Sequence, residues 1–386
     1  QDHSATTKQL RTAIAECRSG FAMSMVSQPV EQEKIKTSRV LPRGNWQDES
    51  GKIVTPNTPH FLAGYRAETD QRLTRLDLAE WLTSPDNPLT ARHYVNRTWK
   101  HFFGKGLSNV LDDLGNQGEW PSHPQLLDWL ASEFASDWDR KKITRLIVTS
   151  NTYRQKAAVR ADLKERDPYN RLLAEQAPRR LEAEIIRDNA LAISGLLLDD
   201  WVGGPSVFPF QPAGYYANLQ FPNRKYKTNT NGLQYRRGVY MHWQRTFLHP
   251  MLANFDAPSR DECTADRTVS NSPQQALTLL NDPVFVEASR AFAVRIMREI
   301  PGDDFNLHLN HAFMLALARN PASEETETLK NLFNKQLEYF RVHRNEAKAF
   351  HSNGQFTVQE GDVAGVAALA QVCRVILNLH ESITRY

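Results

Sequence analysis

The sequence predicts a mainly α-helical protein with minor β structure, a compact multi-helix domain with short extended segments and long ordered loops. Two observations lead to this class. Many segments carry apolar residues at helical spacing, and the stretches between them are rich in proline and glycine. The chain has 386 residues, of which 40% are hydrophobic. A chain of this size buries a sizeable core, and we expect two or three domains or subdomains.

The N-terminal part is predicted to change from helix to extended structure. Apolar residues recur near helical spacing in residues 1–35, which predicts helix there. Prolines and glycines break the next stretch, in which Ser38–Leu41 and Lys52–Thr55 are predicted as short extended segments. We therefore divide the chain into an N-terminal helix and extended wrapping segment (1–65), a central helical block (66–200) and a C-terminal portion (201–386).

Three helix starts are predicted from capping signals. Asn87 before Pro88 matches an N-cap followed by a proline at the first helical position. The pattern S-x-x-Q, typical of a capping box, occurs at Ser122 and again at Ser272. The second of these helices is predicted to break or bend near Asn281–Pro283.

Further helices are predicted from apolar periodicity alone. They lie at about Arg140–Ser150, 178–200, 305–345 and 360–380. In residues 178–200 the expected apolar stripe consists of Leu181, Ile185, Ala192 and Leu196.

Composition excludes several classes of protein. The formal net charge of +3 is too small, and the charges too mixed, to indicate nucleic-acid binding. The sequence has no run of 18 apolar residues, so no transmembrane helix is predicted. The first residues show no signal-peptide pattern, and the start at Gln1 leads us to expect a processed or truncated chain.

Cysteine usage argues against a cysteine-based cofactor site. The three cysteines, Cys17, Cys263 and Cys373, are far apart, and neither C-x-x-C nor C-x-x-C-H occurs. Covalent c-type haem within these residues is therefore excluded, and no metal site is predicted. We expect three buried thiols, with one disulfide plus one free thiol as the alternative.

Many motifs in this chain resemble one known family. They are LDLAEWLTSPDNPLTARHYVNRTWKHFFGKGL, GNQGEWPSHPQLLDWLASEF, LIVTSNTYRQ, RRLEAEIIRDNALAISGLL, GGPSVFPFQPAG, YRRGVYMHWQRT, FDAPSRDECTADRTVSNSPQQALTLLNDPVFVEASR and LNLHESITRY. In order and spacing they resemble the planctomycete-type PSD1 (DUF1553) domain. The resemblance runs from about Ala22 to the C-terminus.

The resemblance implies a setting rather than a reaction. Such domains usually form the C-terminal part of exported proteins that also carry a c-type cytochrome domain and a second uncharacterised domain, DUF1549. The hosts are typically degraders of complex polysaccharides. It implies a periplasmic or otherwise extracytoplasmic location, a c-type cytochrome partner and a polysaccharide ligand. This chain has no cofactor of its own by this reasoning, and any haem c would lie on a missing N-terminal region or on a partner.

The strongest candidate for a functional loop is the stretch from Phe255 to Asp282. Asp256, Arg260, Cys263 and Arg267 occur at nearly regular spacing just before the second capping box. Loops that lead into helix N-termini commonly form ligand sites, so these four residues are our catalytic candidates. The alternative is a structural clasp: Asp256 pairs with Arg260, Cys263 fills the core and Arg267 caps another element.

Substrate-binding candidates come from two earlier segments. Arg97 and Trp99 lie on a predicted helix, where Arg97 shares a face with His101 and suits a planar anion. His123, at a helix start where the dipole favours neutral imidazole, suits a general base or metal ligand. The alternatives are structural: a buried Arg97 bridging loop carbonyls, Trp99 in the core, and His123 supporting a tight turn.

A third segment is predicted as a strand with two chemically different faces. If Arg237–Trp243 is extended, Arg237 and Trp243 lie on one face and Tyr240 and His242 on the other. With Arg245 beside them, they are candidates for a sugar pocket, in which aromatic stacking and charged hydrogen bonds cooperate. The alternative is a half-buried strand edge.

Three functions follow from these candidates. The first is a substrate-binding or catalytic module of a cytochrome-linked redox system acting on carbohydrate, with a pocket that joins the three segments. The second is a non-catalytic glycan-binding or scaffold module, with exposed aromatic residues near the loop Gly203–Lys227. The third is a carboxylate-dependent hydrolase or lyase using Asp256 with Asp261 or Glu262.

Overall fold

The chain divides into two compact units, residues 1–87 and residues 88–386. The computed structural model describes residues 2–18, 25–28, 30–62, 72–157, 160–163, 165–200, 202–211, 226–245, 247–352, 354–357 and 362–386. These residues form thirteen α-helices and two small two-stranded sheets, which confirms a mainly α fold with minor β. None of the described helices is both long and apolar enough to cross a membrane. The boundaries expected at residues 65 and 200 stay predictions.

The first unit contains two α-helices and a short hairpin. Its elements are α1 (Asp2–Arg18), 3-10 helices at Gln32–Lys34 and Pro42–Gly44, β1 (Ser38–Arg39), β2 (Ile53–Val54) and α2 (Arg75–Thr83). The strands pair antiparallel, with Ser38 opposite Val54, so the two predicted extended segments are confirmed. The prediction of helix over residues 1–35 was wrong for residues 25–31, where the described residues are not helical. The sequence carries Pro29 there, and proline disfavours a helix interior.

The second unit contains the other eleven helices. They are α3 (Thr90–Phe103), α4 (Pro124–Ala135), α5 (Arg140–Thr149), α6 (Ala183–Ser194), α7 (Pro250–Asn254), α8 (Pro273–Asn281), α9 (Pro283–Glu299), α10 (Phe305–Leu317), α11 (Ser323–Val342), α12 (Arg344–His351) and α13 (Val363–Leu377). Short 3-10 helices occur at Gly232–Tyr235, Gly238–Tyr240 and His380–Ile383. Strand β3 (Arg179–Arg180) pairs antiparallel with β4 (Thr384–Arg385).

Two apolar cores organise the second unit. In the larger, α9 packs against α6 and α13, and residues such as Phe292, Ile296 and Cys373 are fully buried. In the smaller, α3, α4 and α5 bury Val95, Trp99, Phe103, Phe134 and Ile143. The expectation of three buried thiols was wrong for Cys263, which is exposed, while Cys373 is a buried free thiol.

Capping signals predicted two of the helix boundaries and missed two. Ser272 is the N-cap of α8, and its N–H donates to Gln275 Oε1 at 3.4 Å. The predicted break is confirmed, since Asp282 caps α9 by accepting a hydrogen bond from the N–H of Val284. Helix α3 begins at Thr90 rather than after Asn87.

The N-cap of α4 is His123 and not Ser122. The hydroxyl of Ser122 instead donates a hydrogen bond to the Leu107 carbonyl at 3.2 Å. The hydroxyl that a capping box requires is therefore engaged in a tertiary hydrogen bond instead.

The apolar stripe predicted for α6 was rotated from the buried face. Ile185 is exposed, and Leu181 lies outside the helix. The buried apolar positions are Ala183, Ile186, Ala190, Leu191 and Ile193. A wide apolar surface on a helix leaves its orientation to the neighbours that pack on it, here α9.

The strand predicted over Arg237–Trp243 was also wrong. Residues Gly238–Tyr240 form a 3-10 helix, and only isolated bridges occur, at Arg236 and Met241. The N–H of Gly238 donates to Asp188 Oδ1 at 2.6 Å. A Cβ at Gly238 would lie 2.8 Å from the Glu184 carbonyl oxygen, so this segment turns closely onto α6.

Three buried arginines hold irregular segments onto the helices. Arg187 on α6 donates to the carbonyls of Gln234 and Arg236. Arg236 donates in turn to the carbonyls of Gly203 and Pro205. All three arginines are at most 1% exposed, and the third, Arg290 on α9, donates to the carbonyls of Phe350, near the end of α12, and Phe356. These bonds satisfy backbone carbonyls that are not hydrogen-bonded within a helix or sheet.

We expect Arg290→Met to lower the free energy of unfolding by about 2–5 kcal/mol, because it leaves two buried carbonyls without donors. Urea-induced unfolding measures this change. Arg298→Met on the same helix is the matched control, since that side chain is 75% exposed. Equal stability of the two variants would contradict a structural role for Arg290.

Candidate functional site

A cavity in the second unit has a volume of about 690 Å³. It lies between the C-terminal half of α3, residues 179–185 and the loop at residues 255–269. Six arginine or lysine side chains and four aspartate or glutamate side chains line it. This formal excess of two positive charges leads us to call it the cationic cavity. It joins two of the three segments predicted to form a pocket.

Helix α3 supplies one wall of the cationic cavity. Arg97, Lys100 and His101 line it, three and four residues apart on one helical face. The prediction that Arg97 and His101 share a face is confirmed. Trp99 and Phe103, on a different face, are buried and stack at 4.1 Å between ring centroids. The polar wall is therefore fixed by an apolar face that packs into the smaller core.

Strand β3 and the start of α6 form the second wall. Arg179 and Arg180 come from β3, whose position is set by pairing with the C-terminal strand β4. Arg179 donates to the Lys100 carbonyl at 3.3 Å, which connects this wall to α3. Glu182 and Glu184 follow, at the beginning of α6.

The loop at residues 255–269 is anchored at its start by Asp256. This carboxylate lies 2.6 Å from Arg180 Nη2 and accepts hydrogen bonds from the N–H and hydroxyl of Ser270. Burial acts to raise the pKa of Asp256, but the bonds from Ser270 and Arg180 prevail and lower it. The residue also adopts a positive φ of 60°, which is uncommon for a non-glycine residue.

Arg267 anchors the far end of the same loop. It binds both carboxylate oxygens of Glu184, at 2.7 and 3.1 Å, and lies 3.2 Å from Glu182. Burial acts to lower the pKa of Arg267, and the hydrogen bond to Glu184 raises it overall. A bidentate pair of this kind fixes orientation as well as charge.

The clasp expected from the sequence exists with different partners. Asp256 pairs with Arg180 rather than with Arg260, so that part of the alternative was wrong. Arg260 instead places its guanidinium 3.8 Å from the ring centroid of Trp243, a cation–π contact. Cys263 is exposed and does not fill the core.

Three arginines of the cationic cavity have no carboxylate partner in the described part of the chain, and one of them, Arg260, contacts the ring of Trp243 instead. Arg97 is exposed and forms no ion pair there, and Arg179 bonds only to a backbone carbonyl. Lys100, in contrast, pairs with Asp266. The guanidinium groups of Arg97 and Arg179 present fork-shaped donors suited to carboxylate, sulfate or phosphate oxygens.

His101 lies among these cations, and its lowered pKa favours the neutral imidazole. Burial lowers the pKa of His101, and the nearby Arg179, Arg97 and Lys100 lower it further, against an opposing effect of Glu182. A neutral imidazole both accepts and donates a hydrogen bond. It therefore suits recognition of a hydroxyl beside an anionic group.

The remaining substrate-binding candidates lie outside the cationic cavity. Arg237 and Arg245 are exposed, and Arg245 lies 3.6 Å from Asp261. Tyr240 accepts a hydrogen bond from the N–H of Gly203, and His242 stacks on Phe208 at 4.3 Å. This segment borders the cavity through Trp243, whose ring contacts Arg260 and whose indole N–H donates to the Pro258 carbonyl at 3.1 Å. Its assignment to a sugar pocket stays a prediction.

His123 lies at the N-terminus of α4, outside the cationic cavity. Its Nδ1 lies 3.0 Å from the hydroxyl of Ser122. Within the described ranges, no cluster of three or more His, Cys, Asp or Glu side chains is arranged to hold a metal ion. Trp99 lies in the smaller core and also borders a second, smaller cavity.

Sequence reasoning missed the wall formed by residues 179–184. The motif RRLEAE places two arginines and two glutamates within six residues just before an amphipathic helix. A local density of opposite charges ahead of a helix start is a visible signal. Its partners, Asp256 and Arg267, are 76 and 83 residues away in sequence, so the pairing itself was not visible.

We expect Asp256→Asn to lower the free energy of unfolding at pH 7 by roughly 2 kcal/mol, since it weakens charged hydrogen bonds. Because the pKa of Asp256 is lowered in the folded protein, this stabilisation is complete above about pH 5 and is lost as pH falls below about 4. Urea unfolding from pH 3 to 8 measures it. The exposed Asp261→Asn is the control, and a difference independent of pH would contradict the assignment.

Comparison with known families gives one result. The model of the PSD1 family, described as a protein of unknown function (DUF1553), matches residues 74–333. No curated protein and no solved structure matches the chain. The match covers well over half of the sequence and contains the whole cationic cavity. The chain therefore belongs to the PSD1 (DUF1553) family.

Proposed function

We propose that this domain binds an anionic ligand in the cationic cavity and that the ligand is an acidic carbohydrate. The observation that carries the proposal is the pair of guanidinium groups, Arg97 and Arg179, that line the cavity without a carboxylate partner in the described residues. A charged group near other cations is stabilised when an anion binds among them. An anionic ligand would supply the negative charge that these two guanidinium groups lack.

The shape and chemistry of the cavity support a ligand larger than a simple anion. A volume of about 690 Å³ falls within the usual range for small-molecule sites. Neutral His101 and the apolar side chains of Leu111 and Val269 lie beside the arginines. A sugar acid combines a planar carboxylate with hydroxyl groups and apolar C–H faces, and it matches each of these groups.

The setting implied by the family resemblance extends this proposal. An exported, polysaccharide-degrading protein with a c-type cytochrome partner would use such a domain to hold substrate for a redox step. The haem would belong to that partner or to another part of the protein, in a periplasmic or otherwise extracytoplasmic location. Asp256, Arg260, Cys263 and Arg267 stay candidates for catalysis, and two of them now have a defined anchoring role.

The two alternative functions have less support. A carboxylate-dependent hydrolase needs a free acid, whereas Asp256 is occupied by Arg180 and Ser270, and its pKa is lowered. A scaffold that binds glycans through the loop Gly203–Lys227 calls for exposed Trp or Tyr side chains there. Tyr215 and Tyr216 lie outside the described residues, and Tyr226 is half-buried and donates to the Pro209 carbonyl at 2.6 Å.

We expect Arg97→Gln and Arg179→Gln each to weaken binding of an oligogalacturonate about 10- to 100-fold, because each removes a charged hydrogen-bond donor. Isothermal titration calorimetry measures the dissociation constant. Raising the salt concentration should also weaken binding, since exposed charges are screened.

The matched control is Arg145→Gln, which removes an exposed arginine of α5 outside the cavity. It should leave the dissociation constant unchanged. A neutral cello-oligosaccharide is the ligand control. Equal binding of neutral and acidic oligosaccharides, or equal loss in all three variants, would refute the proposal.

The redox part of the proposal has its own test on the full-length protein from its host. We expect a c-type haem spectrum that becomes reduced when an acidic polysaccharide is added. The same addition to a preparation carrying Arg97→Gln should reduce the haem more slowly. A preparation without haem, or haem indifferent to every acidic glycan, would remove the redox role and leave the binding role standing.

A further inference from the structure

A second cavity of about 220 Å³ lies beside the C-terminal end of α3. Its walls come from residues 99–109 and residues 168–178, with Ser122 between them. It shares no lining residue with the cationic cavity, and the function proposed above does not use it. We call it the aromatic cavity.

Apolar side chains form the floor of the aromatic cavity. Trp99 and Phe103 are each 5% exposed and stack with an interplanar angle of 19°. Leu107 and Leu173 extend this surface. Because the two rings stack on each other and are largely covered, the floor contributes a small apolar patch, and the open aromatic face of this cavity is that of Tyr169.

Polar atoms without a protein partner surround this floor. Within the described part of the chain, no hydrogen bond or ion pair engages the indole N–H of Trp99, Lys105 Nζ, the hydroxyl of Tyr169 or the side-chain amide of Asn109. The Trp99 side chain is only 5% exposed and lines the cavity. Buried tryptophan N–H groups usually find an acceptor, and here a ligand would supply it.

The wall opposite α3 is held rigidly. Asp167 accepts hydrogen bonds from the N–H groups of Arg171 and Leu172, each at 2.7 Å. Asn170 adopts a positive φ of 50° and donates to the Glu175 carbonyl at 2.7 Å. Arg171 forms a 2.6 Å ion pair with Glu119. A wall fixed in this way keeps its shape before a ligand arrives, which lowers the cost of binding.

Tyr169 forms the outer edge of the aromatic cavity. Its side chain is 70% exposed, and Lys105 Nζ lies 5.2 Å from its ring centroid. An exposed aromatic ring beside an unpaired ammonium group provides both a stacking face and a hydrogen-bond donor.

We propose that the aromatic cavity binds a single neutral sugar ring. A pyranose has an apolar C–H face that stacks on the exposed ring of Tyr169 and an edge that meets the apolar floor. Its peripheral hydroxyls both donate and accept hydrogen bonds, as the combination of Trp99, Lys105, Asn109 and Tyr169 requires. The volume is below the usual range for drug-sized ligands, which restricts the occupant to about one ring. The site is independent of the anion site in the cationic cavity.

The test is ligand-observed NMR titration of the domain with glucose, galactose and N-acetylglucosamine. We expect at least one of them to bind, and Tyr169→Ala and Lys105→Gln each to weaken that binding about tenfold, the equivalent of one lost hydrogen bond or stacking contact. Trp99→Phe keeps an aromatic side chain in the floor while it removes the indole N–H and part of the ring, and it should weaken binding by a similar factor. Both Tyr169 and Lys105 lie at the surface, so their variants fold.

Two controls separate this proposal from the anion site. Trp129→Ala removes an exposed aromatic residue of α4 outside the cavity and should leave sugar binding unchanged. Arg97→Gln should also leave it unchanged, even if that variant abolishes binding of oligogalacturonate. Binding of none of the three sugars, tighter binding of benzoate or indole than of any sugar, or binding indifferent to Tyr169 and Lys105 would overturn the proposal.

Discussion

Hydrogen bonds from buried arginines to backbone carbonyls are the interaction on which the second unit depends. Irregular segments carry carbonyl groups that no helix or sheet satisfies, and burying them without donors costs free energy. Arg187 and Arg236 form a relay from α6 through the segment at 234–236 to the segment at 203–205. Arg290 on α9 does the same for the carbonyls of Phe350 and Phe356. Long loops can therefore pack on the helical core, and their positions become fixed.

The same principle, applied with carboxylates, shapes the cationic cavity. Asp256 with Arg180 and Arg267 with Glu184 attach both ends of one loop to the β3–α6 segment. In these pairs each charge is neutralised by its partner, and the pairs serve to hold the loop in place. Arg97 and Arg179 remain without such partners among the described residues, and they give the cavity its positive character. Architecture and recognition thus share one cavity, with different residues serving each.

The packing of helix α3 positions side chains of both cavities. Its aromatic residues Trp99 and Phe103 anchor it in the smaller core, and this fixes the direction in which Arg97, Lys100 and His101 point. The same two rings form the floor of the aromatic cavity on another face. A change in the packing of α3 would therefore alter both cavities, which makes surface substitutions the more informative probes.

The sequence alone determined the helical class, the α8 and α9 boundaries and the shared face of Arg97 and His101, because local periodicity and capping carry this information. The family was visible in the motifs that the chain shares with it. Tertiary structure decided what depends on distant partners. Ser122 bonds to Leu107 rather than capping α4, Gly238 turns onto α6 instead of continuing a strand, and Asp256 pairs with Arg180. Each outcome depends on a contact 15 to 76 residues away, and no local pattern specifies such a contact.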